Sequence, residues 1–559
     1  MSFKIQLKII SSLEKVFWDE ELNATEYNEF SALRGERFSF QAAVKFTGRD
    51  DEKVLLPLNE TLKIKAELET DMECRIDIRE VAAVQVNHPT MIQRDDDFLR
   101  VSPGIYPDIL NAHCGKWNIA TDQWRCLWFA VNIPENAKSG RHNMNVRLYN
   151  ADNGKLVSEK SFTLKVIPAT MPKQKTFYTQ WFHLDCLASY YKTPVFSEKH
   201  WSLIENYMRH AAENGVNLIL TPVFTPPLDT EVGCERLTVQ LVDVYCNAGE
   251  YTFDFSKLDR YMSIAEKSGI ENFEISHLFT QWGAKYAPKI MAYEHDRQIK
   301  IFGWETKGSS DEYKTFLKVF LNALRGHLSE LGKLKNCYFH ISDEPGIDAC
   351  EKYSAAYEIV SRELFDCNII DALSDYEFYK RGYKGCPVSS LDHIDKFIEN
   401  GVEKLWAYYC NGQSCYVSNR LIAMPSYRNR ILGMQLYKYG IGGFLQWGYN
   451  YWYSFLSKEL INPFIETGAL NALPAGDAFS VYPGEDGNPI PSLREAVFFE
   501  NLQDIRALQL LESLIGRIKT LEILDPESQL TITEYPRSAE WLIEKREKIN
   551  EEILRAIVN

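Results

Sequence analysis

The feature that most constrains this chain is a regular alternation of short apolar segments with amphipathic ones between residues 176 and 450. The segment 197–215 is typical, because Ser197 can cap a helix and Gly215 can end it. The apolar stretch 216–223 follows it directly as a buried strand. The chain has eight strand candidates of this kind, at 176–185, 216–223, 271–279, 336–344, 367–375, 386–391, 404–411 and 442–450. Strands separated by helices run parallel with right-handed crossovers, so eight of them predict a closed (β/α)8 barrel.

The residues before this region have a different pattern. Short alternating segments at 37–46, 123–134, 139–150 and 158–168 are typical of antiparallel strands. We therefore predict a mixed fold of the α/β plus β class. It consists of an N-terminal β-sandwich over 1–170, a TIM-like catalytic barrel over 176–480, and C-terminal helices over 481–559 that pack on the barrel.

Composition limits the classes of partner. A net charge of −15 disfavours nucleic acid and anionic membranes, which an acidic field repels. No apolar run reaches the roughly 18 residues of a membrane span, so membrane insertion is not expected, and no secretory signal is visible at residues 1–20. Twelve scattered cysteines without a C-x-x-C pair indicate reduced thiols. We expect a cytoplasmic protein.

In such a barrel, functional side chains lie at the carboxyl ends of the strands. Carboxylates, aromatic rings and few cations occupy these ends, which suits a neutral polyhydroxylated ligand rather than a phosphate. The candidate ligand-binding residues are His183, Asp185, His277, Asp375, Tyr409, Asn411, Trp447 and Tyr449, with Trp282 in the loop after the third strand. Two alternatives are open: His277 and the aromatic residues can belong to the core, and His183, Asp185, His277 and Asp343 can converge on a metal.

The stretch "CYFHISDEPG" (337–346) ends the fourth strand with two adjacent carboxylates, Asp343 and Glu344. One interpretation is that Asp343 caps the following helix, since acids and proline favour helix starts. The other is a catalytic pair. It is favoured by the position of the pair on the functional rim, and by Pro345, which we expect to hold Glu344 extended.

The adjacency of Asp343 and Glu344 constrains the catalytic mechanism that they can support. Most glycosidases use two carboxyl groups that flank the scissile bond, roughly 5 to 9.5 Å apart. Residues adjacent in sequence do not easily lie on opposite sides of a sugar. They suit substrate-assisted cleavage, in which a 2-acetamido group is the nucleophile, one acid orients it, and the other acts as general acid and base.

The segments "HISDEP", "AGDAFSVYPG" (475–484) and "SLRE" (492–495) resemble those of glycoside hydrolase family 123, the N-acetyl-β-galactosaminidases. The resemblance covers nearly the whole chain. It implies a β-sandwich followed by a (β/α)8 barrel, and release of terminal β-linked N-acetylgalactosamine, including from glycosphingolipid glycans. It also implies that Asp343 orients the acetamido group and that Glu344 is the acid/base.

The resulting hypothesis is a retaining exo-N-acetyl-β-galactosaminidase that acts on glycans and needs no metal or organic cofactor. One alternative is a non-catalytic glycan-binding protein on an inherited barrel. Another is a barrel hydrolase that uses a divalent metal held by the rim histidines.

Overall fold

The structure, a computed structural model, describes residues 4–47, 62–295 and 297–558. The chain divides into two compact units. The first contains residues 1–175, 414–438 and 490–559, and the second contains residues 176–413 and 439–489. The unit that holds the barrel strands is thus interrupted between its seventh and eighth strands by a segment of the first unit.

The strands of the first unit fit a β-sandwich. They are β1 (Lys4–Ser11), β2 (Glu29–Arg34), β3 (Arg37–Thr47), β4 (Leu62–Thr70), β5 (Arg75–Val86), β6 (Gly104–Ala112), β7 (Trp117–Ile119), β8 (Trp124–Asn132), β9 (Gly140–Asn150) and β10 (Leu156–Thr170). The two sheets have the orders β1-β3-β8-β5-β6 and β2-β10-β9-β4-β7. Alternate side chains of both sheets share one apolar core, in which Phe40 stacks on Phe129 at 4.8 Å and meets Phe162 edge-on.

The later strands are β11 (Phe177–Gln180), β12 (Leu218–Thr221), β13 (Asp243–Asn247), β14 (Glu250–Asp254), β15 (Asn272–Ile275), β16 (Ile290–Glu294), β17 (Arg297–Phe302), β18 (Cys337–Phe339), β19 (Asn368–Ala372), β20 (Cys386–Ser390), β21 (Trp406–Tyr408), β22 (Gly443–Gln446), β23 (Val481–Pro483) and β24 (Pro489–Pro491). Eight of them form a parallel sheet in the order β11-β22-β21-β20-β19-β18-β15-β12. The backbone of Asn217 hydrogen-bonds to Tyr178, which brings β12 beside β11 and nearly closes the barrel. All eight strands predicted from the sequence are present.

The helices are α1 (Leu184–Tyr190), α2 (Glu198–Glu213), α3 (Ser256–Ser268), α4 (Asp311–Glu330), α5 (Cys350–Glu363), α6 (Tyr376–Lys380), α7 (Asp395–Glu399), α8 (Ser426–Tyr439), α9 (Leu493–Ile515), α10 (Arg517–Leu524) and α11 (Ala539–Val558). Ser197 caps α2 as predicted, since its side chain accepts a hydrogen bond from the backbone of His200. None of the helices in the described residues is long and apolar enough to cross a membrane.

Two long loops carry an additional sheet that the sequence analysis missed. The connection after β12 folds into the hairpin β13–β14, and the connection after β15 folds into β16–β17. The two hairpins pair through β13 and β16 into a four-stranded sheet. These loops are therefore built structures that extend from neighbouring barrel strands.

The C-terminal helices α9 to α11 belong to the first unit, where they share a core with β-strand residues and with α8. Ser492 caps α9, and Arg494 forms a buried bidentate ion pair with Asp108 of β6 at 2.9 Å. The "SLRE" segment thus has a structural role within this unit: it starts a helix and ties it to a sheet.

Candidate active site

Asp343 and Glu344 lie just beyond the end of β18, at the carboxyl end of the fourth barrel strand. The helix-cap interpretation is wrong, because α5 begins only at Cys350 and Ala349 occupies its N-cap. Glu344 is not extended either: its φ is +40°, in the left-handed region. Proline disfavours the right-handed helical conformation for the residue before it, and here the chain adopts the left-handed one. Strained backbone conformations of this kind cluster at functional sites.

Tyr408, the last residue of β21, is the partner of Glu344. Its hydroxyl donates a hydrogen bond to Glu344 Oε1 at 2.5 Å, and the Ser374 hydroxyl lies 3.1 Å from the same phenol oxygen. Tyr408 is buried among the side chains that fill the barrel. Sequence reasoning missed it and selected the next residue, Tyr409.

The environment of Asp343 and Glu344 raises the pKa of both carboxyl groups. The pKa of Asp343 is raised well above its usual range by burial, by the charge of Glu344 and by that of Asp229. Burial also raises the pKa of Glu344, although the hydrogen bond from Tyr408 opposes this. Two neighbouring carboxyl groups in such a site do not both ionise readily, so we expect the pair to keep one proton near neutral pH.

The loop after β15 is attached to the segment that carries the acid pair. The backbone nitrogens of Leu278, Phe279 and Trp282 donate to the carbonyl oxygens of His340, Ile341 and Asp343, at 3.2, 2.9 and 2.7 Å. The loop therefore extends the β15–β18 pairing up to Asp343 itself.

Trp282 lies at the tip of this loop and remains 53% exposed. It begins a run of three left-handed residues with φ values of +60°, +108° and +56°, ending at Ala284. A Cβ on the middle residue, Gly283, would lie 2.4 Å from Cβ of Ala349. Only glycine fits there, so the loop tip is fixed close to the segment after the acid pair.

His183 and Asp185 follow β11 and are both buried in an ion-pair cluster with Arg236. The Arg236 guanidinium donates to both oxygens of Asp185, at 2.8 and 2.7 Å, and to His183 Nδ1 at 3.0 Å. His183 Nε2 donates to the Trp447 carbonyl at 3.1 Å, and burial, together with the charge of Arg236, lowers the pKa of this histidine to about 3. The structure thus brings these two predicted residues together around a cation that the sequence analysis did not single out.

The eighth strand and the "AGDAFSVYPG" segment form one wall. Trp447 is half-buried against the barrel interior, and its indole nitrogen donates to Asp477 Oδ2 at 3.1 Å. Tyr449 instead lies in the core beside α2, where its hydroxyl donates to the Tyr207 carbonyl at 3.2 Å. The two side chains therefore lie in different environments, although two residues separate them as in a regular strand.

The remaining rim candidates are dispersed. Tyr409 is buried and packs on Phe444, with ring centroids 4.8 Å apart. Asn411 is half-buried three residues beyond the end of β21. Asp375 caps α6 by accepting a hydrogen bond from the Glu377 backbone at 2.9 Å.

A buried polar network lies inside the barrel below the acid pair. His340 Nε2 donates to Glu274 at 2.6 Å, and His340 Nδ1 lies 3.3 Å from Asp371. Burial would lower the pKa of His340, but its hydrogen bonds to Asp371 and Glu274 raise it to about 9. The imidazole is therefore an imidazolium at neutral pH, and its positive charge favours ionisation of Asp343.

His277 is fully buried and stacks on His340, with ring centroids 4.2 Å apart. Within the described residues, no side chain or backbone group hydrogen-bonds to either ring nitrogen of His277. Burial, with the neighbouring charge of His340, lowers its pKa well below the usual range, so its ring is neutral.

The described part of the chain contains one group of three potential metal ligands whose atoms lie within 4.8 Å of one another: His277, His340 and Asp371. Both nitrogens of His340 already face carboxylates: Nε2 faces Glu274, which is outside that group, and Nδ1 faces Asp371. The set that the sequence suggested, which included His183, Asp185 and Asp343, is not among the described groups that meet this distance.

The chain is similar to known glycoside hydrolases in sequence and in fold. The family model described as "Glycoside hydrolase 123, catalytic domain" matches residues 181–511. A search of curated proteins finds no match. A family 123 glycoside hydrolase from Clostridium perfringens, studied for glycolipid glycan hydrolysis, has the same fold, with a TM-score of 0.72 and 17% identity over 100% of this chain and 98% of that one.

Other solved structures are more distant. A family 5 mannosidase from Rhizomucor miehei covers 60% of this chain and 95% of its own at 10% identity and a TM-score of 0.34. A family 39 glycoside hydrolase from Bacteroides cellulosilyticus covers 78% and 80% at 11% identity and a TM-score of 0.30. The family model alone spans more than half of the residues, and the chain therefore belongs to glycoside hydrolase family 123.

Proposed function

We propose that this family 123 hydrolase is a retaining, exo-acting N-acetyl-β-galactosaminidase that uses the 2-acetamido group of its substrate as the nucleophile. The observation that carries the proposal is the adjacency of Asp343 and Glu344 at the barrel rim, just beyond the fourth strand. Carboxyl groups on consecutive residues do not readily lie on opposite faces of a sugar, as the ordinary two-carboxylate mechanisms require. A substrate that supplies its own nucleophile removes that requirement.

In the first step the acetamido oxygen attacks the anomeric carbon, and the bond to the leaving oxygen breaks. Glu344 gives its proton to that oxygen, while Asp343 accepts a hydrogen bond from the acetamido N–H and stabilises the positive oxazolinium ring. In the second step Glu344 takes a proton from water, the water oxygen attacks the anomeric carbon, and the ring opens. Two inversions at one carbon give net retention.

These roles require the substrate to lower the pKa of Asp343, which burial and the charges of Glu344 and Asp229 raise well above its usual range in the free site. The mechanism needs one proton in the pair, located on Glu344, and an ionised Asp343. A bound acetamido N–H would stabilise the charged form of Asp343, as does the nearby His340 imidazolium. The raised pKa of Glu344 suits a general acid that works near neutral pH.

The substrate class follows from the family and from the site. Family membership supports a glycan substrate, and the clostridial enzyme of the same fold is described as acting on glycolipid glycans. We infer a terminal β-linked N-acetylgalactosamine as the bound sugar, including that of glycosphingolipid glycans. The half-buried Trp447 and the exposed Trp282 provide aromatic surface at this rim.

The test is a panel of chromogenic β-glycosides of N-acetylgalactosamine, N-acetylglucosamine and galactose, assayed with and without a chelator. We expect turnover of the acetamido sugars, fastest for the galacto configuration, no measurable turnover of galactoside, and no effect of chelator. Comparable turnover of the galactoside would contradict acetamido participation.

The same panel separates the rivals. Loss of activity in chelator would favour the metal-dependent hydrolase, whereas binding of the sugars without any turnover would favour the non-catalytic glycan-binding protein. Glu344→Gln is the matched variant, since it keeps the size of the side chain and removes the transferable proton. We expect it to abolish nearly all turnover.

A further inference from the structure

Asp229, in the loop after β12, is a third carboxylate at this site that the sequence analysis did not select. Its backbone is fixed from two sides: its nitrogen donates to Gln281 Oε1 at 2.8 Å, and its carbonyl accepts from the hydroxyl of Ser457 at 2.6 Å and from that of Tyr451 at 3.3 Å. Its φ is +46°, a conformation that aspartate adopts at a cost. The surroundings therefore hold the residue in one strained orientation.

The residue before it is anchored by the buried ion-pair cluster. Arg236 donates to the Leu228 carbonyl at 3.1 Å, and Leu228 itself is fully buried in the barrel core. Asp185 and His183 orient that arginine. His183 and Asp185, both candidates from the sequence, thus act through Arg236 on the backbone beside Asp229.

The Asp229 carboxylate has unused acceptor capacity. It is partly buried, and the hydrogen bonds that the described residues make with Asp229 involve its backbone and not its carboxylate. Arg236, whose charge acts to lower the pKa of Asp229, already forms a bidentate pair with Asp185. Burial raises the pKa of Asp229 to about 6, with a further contribution from the charge of Glu344. A partly desolvated carboxylate without donors is costly unless a ligand supplies them.

The surroundings restrict the chemistry of that ligand. Asp229 lies close to the acid pair, because Gln281, which binds its backbone nitrogen, precedes Trp282, whose nitrogen donates to the Asp343 carbonyl at 2.7 Å. In keeping with this, its charge contributes to the raised pKa of Asp343. Three carboxyl groups in one site repel an anionic ligand. Asp229 is not part of the group of potential metal ligands found in the described residues. Neutral hydroxyl donors fit these conditions.

We propose that Asp229 accepts hydrogen bonds from ring hydroxyl groups of the sugar bound over Asp343 and Glu344, and thereby selects among sugars that differ in those hydroxyls. This inference rests on the proposed function, because it assigns a sugar to the same site. It adds a specificity-determining residue on a different loop from the acid pair.

The experiment uses aryl β-N-acetylgalactosaminides that lack the 3-, 4- or 6-hydroxyl, assayed with the wild-type protein, Asp229→Asn and Asp229→Ala. Hydrogen bonds to a charged acceptor correspond to a roughly 10- to 100-fold change in kcat/KM. For the wild-type protein, we expect kcat/KM to be lower by this factor on at least one deoxy substrate than on the parent substrate. For the Asp229 variants, kcat/KM on the parent substrate should already be lower than that of the wild type by the same factor. Removing that same hydroxyl from the substrate should then lower the kcat/KM of the variants little further.

Glu231→Gln is the matched control. Glu231 lies two residues along the same loop, but its carboxylate is solvent-exposed and pairs with Lys458 at 2.9 Å. It should behave as wild type on every substrate. Thermal melting of each variant shows that it is folded. Equal losses on all deoxy substrates in wild type and variants would overturn the assignment of Asp229, as would full activity of Asp229→Ala on the parent.

A binding measurement separates this inference from the proposed function. Free sugars are titrated by calorimetry into Glu344→Gln and into Glu344→Gln/Asp229→Asn. If the wild-type protein cleaves acetamido sugars and the binding is insensitive to Asp229, the inference fails and the function stands. If the wild-type protein cleaves none of them but sugar binding depends on Asp229 and on one hydroxyl, the function fails and the inference stands. Absence of sugar binding and of cleavage would overturn both.

Discussion

The phenol of Tyr408 donates a 2.5 Å hydrogen bond to Glu344, the residue to which we assign the acid/base role. The bond joins the ends of the fourth and seventh barrel strands, β18 and β21. It stabilises the ionised form of Glu344 and therefore lowers a pKa that burial raises. Burial and the charge of Glu344 in turn hold the pKa of Tyr408 well above its usual range, so the phenol keeps its proton.

Tyr408→Phe should move the pH profile in one direction. Without the donor, the pKa of Glu344 rises, so the alkaline limb of kcat/KM, where the general acid loses its proton, should shift to higher pH. The rate at the optimum should fall roughly 10-fold, because a hydrogen bond to a charged group that positions the acid is lost. Tyr245→Phe, on the exposed face of the four-stranded sheet, is the control. An alkaline limb that stays in place or moves to lower pH would contradict this role.

His340 links stability to pH. Its folded pKa of about 9 exceeds the ordinary value of 6.5, so its contribution to stability is fully present below about pH 6.5 and is lost as the pH rises through about 9. His340→Gln should lower the free energy of unfolding by about 3–5 kcal/mol at pH 6, since it leaves buried carboxylates without their cation. The deficit should shrink at pH 9.5. Thermal melts at the two pH values measure this, and an equal deficit at both would argue against a charged His340.

The buried pair Asp185–Arg236 should be structural and positional rather than a direct ligand contact. Asp185→Asn should destabilise the protein by about 3–5 kcal/mol, because Arg236 would lose its counter-charge. Because Arg236 also holds the Leu228 carbonyl beside Asp229, kcat/KM should fall for the parent sugar. The solvent-exposed pair Glu198–Arg260 provides the control, since Glu198→Gln should leave the melting temperature nearly unchanged. A folded Asp185→Asn variant with unchanged melting temperature would refute the structural role.

The barrel could be predicted from the sequence, because each strand is a short apolar run between helices with clear caps and stops. The direction in which side chains point within a strand could not be predicted in the same way. The three residues of β21 and Tyr409, which follows it, are all buried, so no alternation of polarity distinguishes Tyr408 from Tyr409. The choice fell on the residue that packs on Phe444 rather than on the one that reaches Glu344.

Other features of the structure were also not predicted from the sequence. Asp229 and Arg236 lie in a long loop without periodicity, and their roles depend on partners such as His183, over 40 residues away in sequence. The hairpin β13–β14 was detectable, because alternating residues flank a turn with Gly249 at φ +85°. The left-handed conformation of Glu344 could not be predicted from the sequence, since the usual restriction before proline favours extended backbone.

Trp282 provides the last prediction, on the leaving-group side of the substrate. Its backbone nitrogen is bound to the Asp343 carbonyl, yet its ring is 53% exposed, which places an aromatic surface beside the acid pair. Trp282→Ala keeps the backbone hydrogen bond and removes the ring. We expect kcat/KM to fall roughly 10-fold for an oligosaccharide substrate, the value of one aromatic contact, and to stay unchanged for the methyl β-glycoside. Phe365→Ala, which removes another exposed ring, should affect neither. An equal loss on both substrates would instead place Trp282 against the terminal sugar, and no loss on either would remove it from the site.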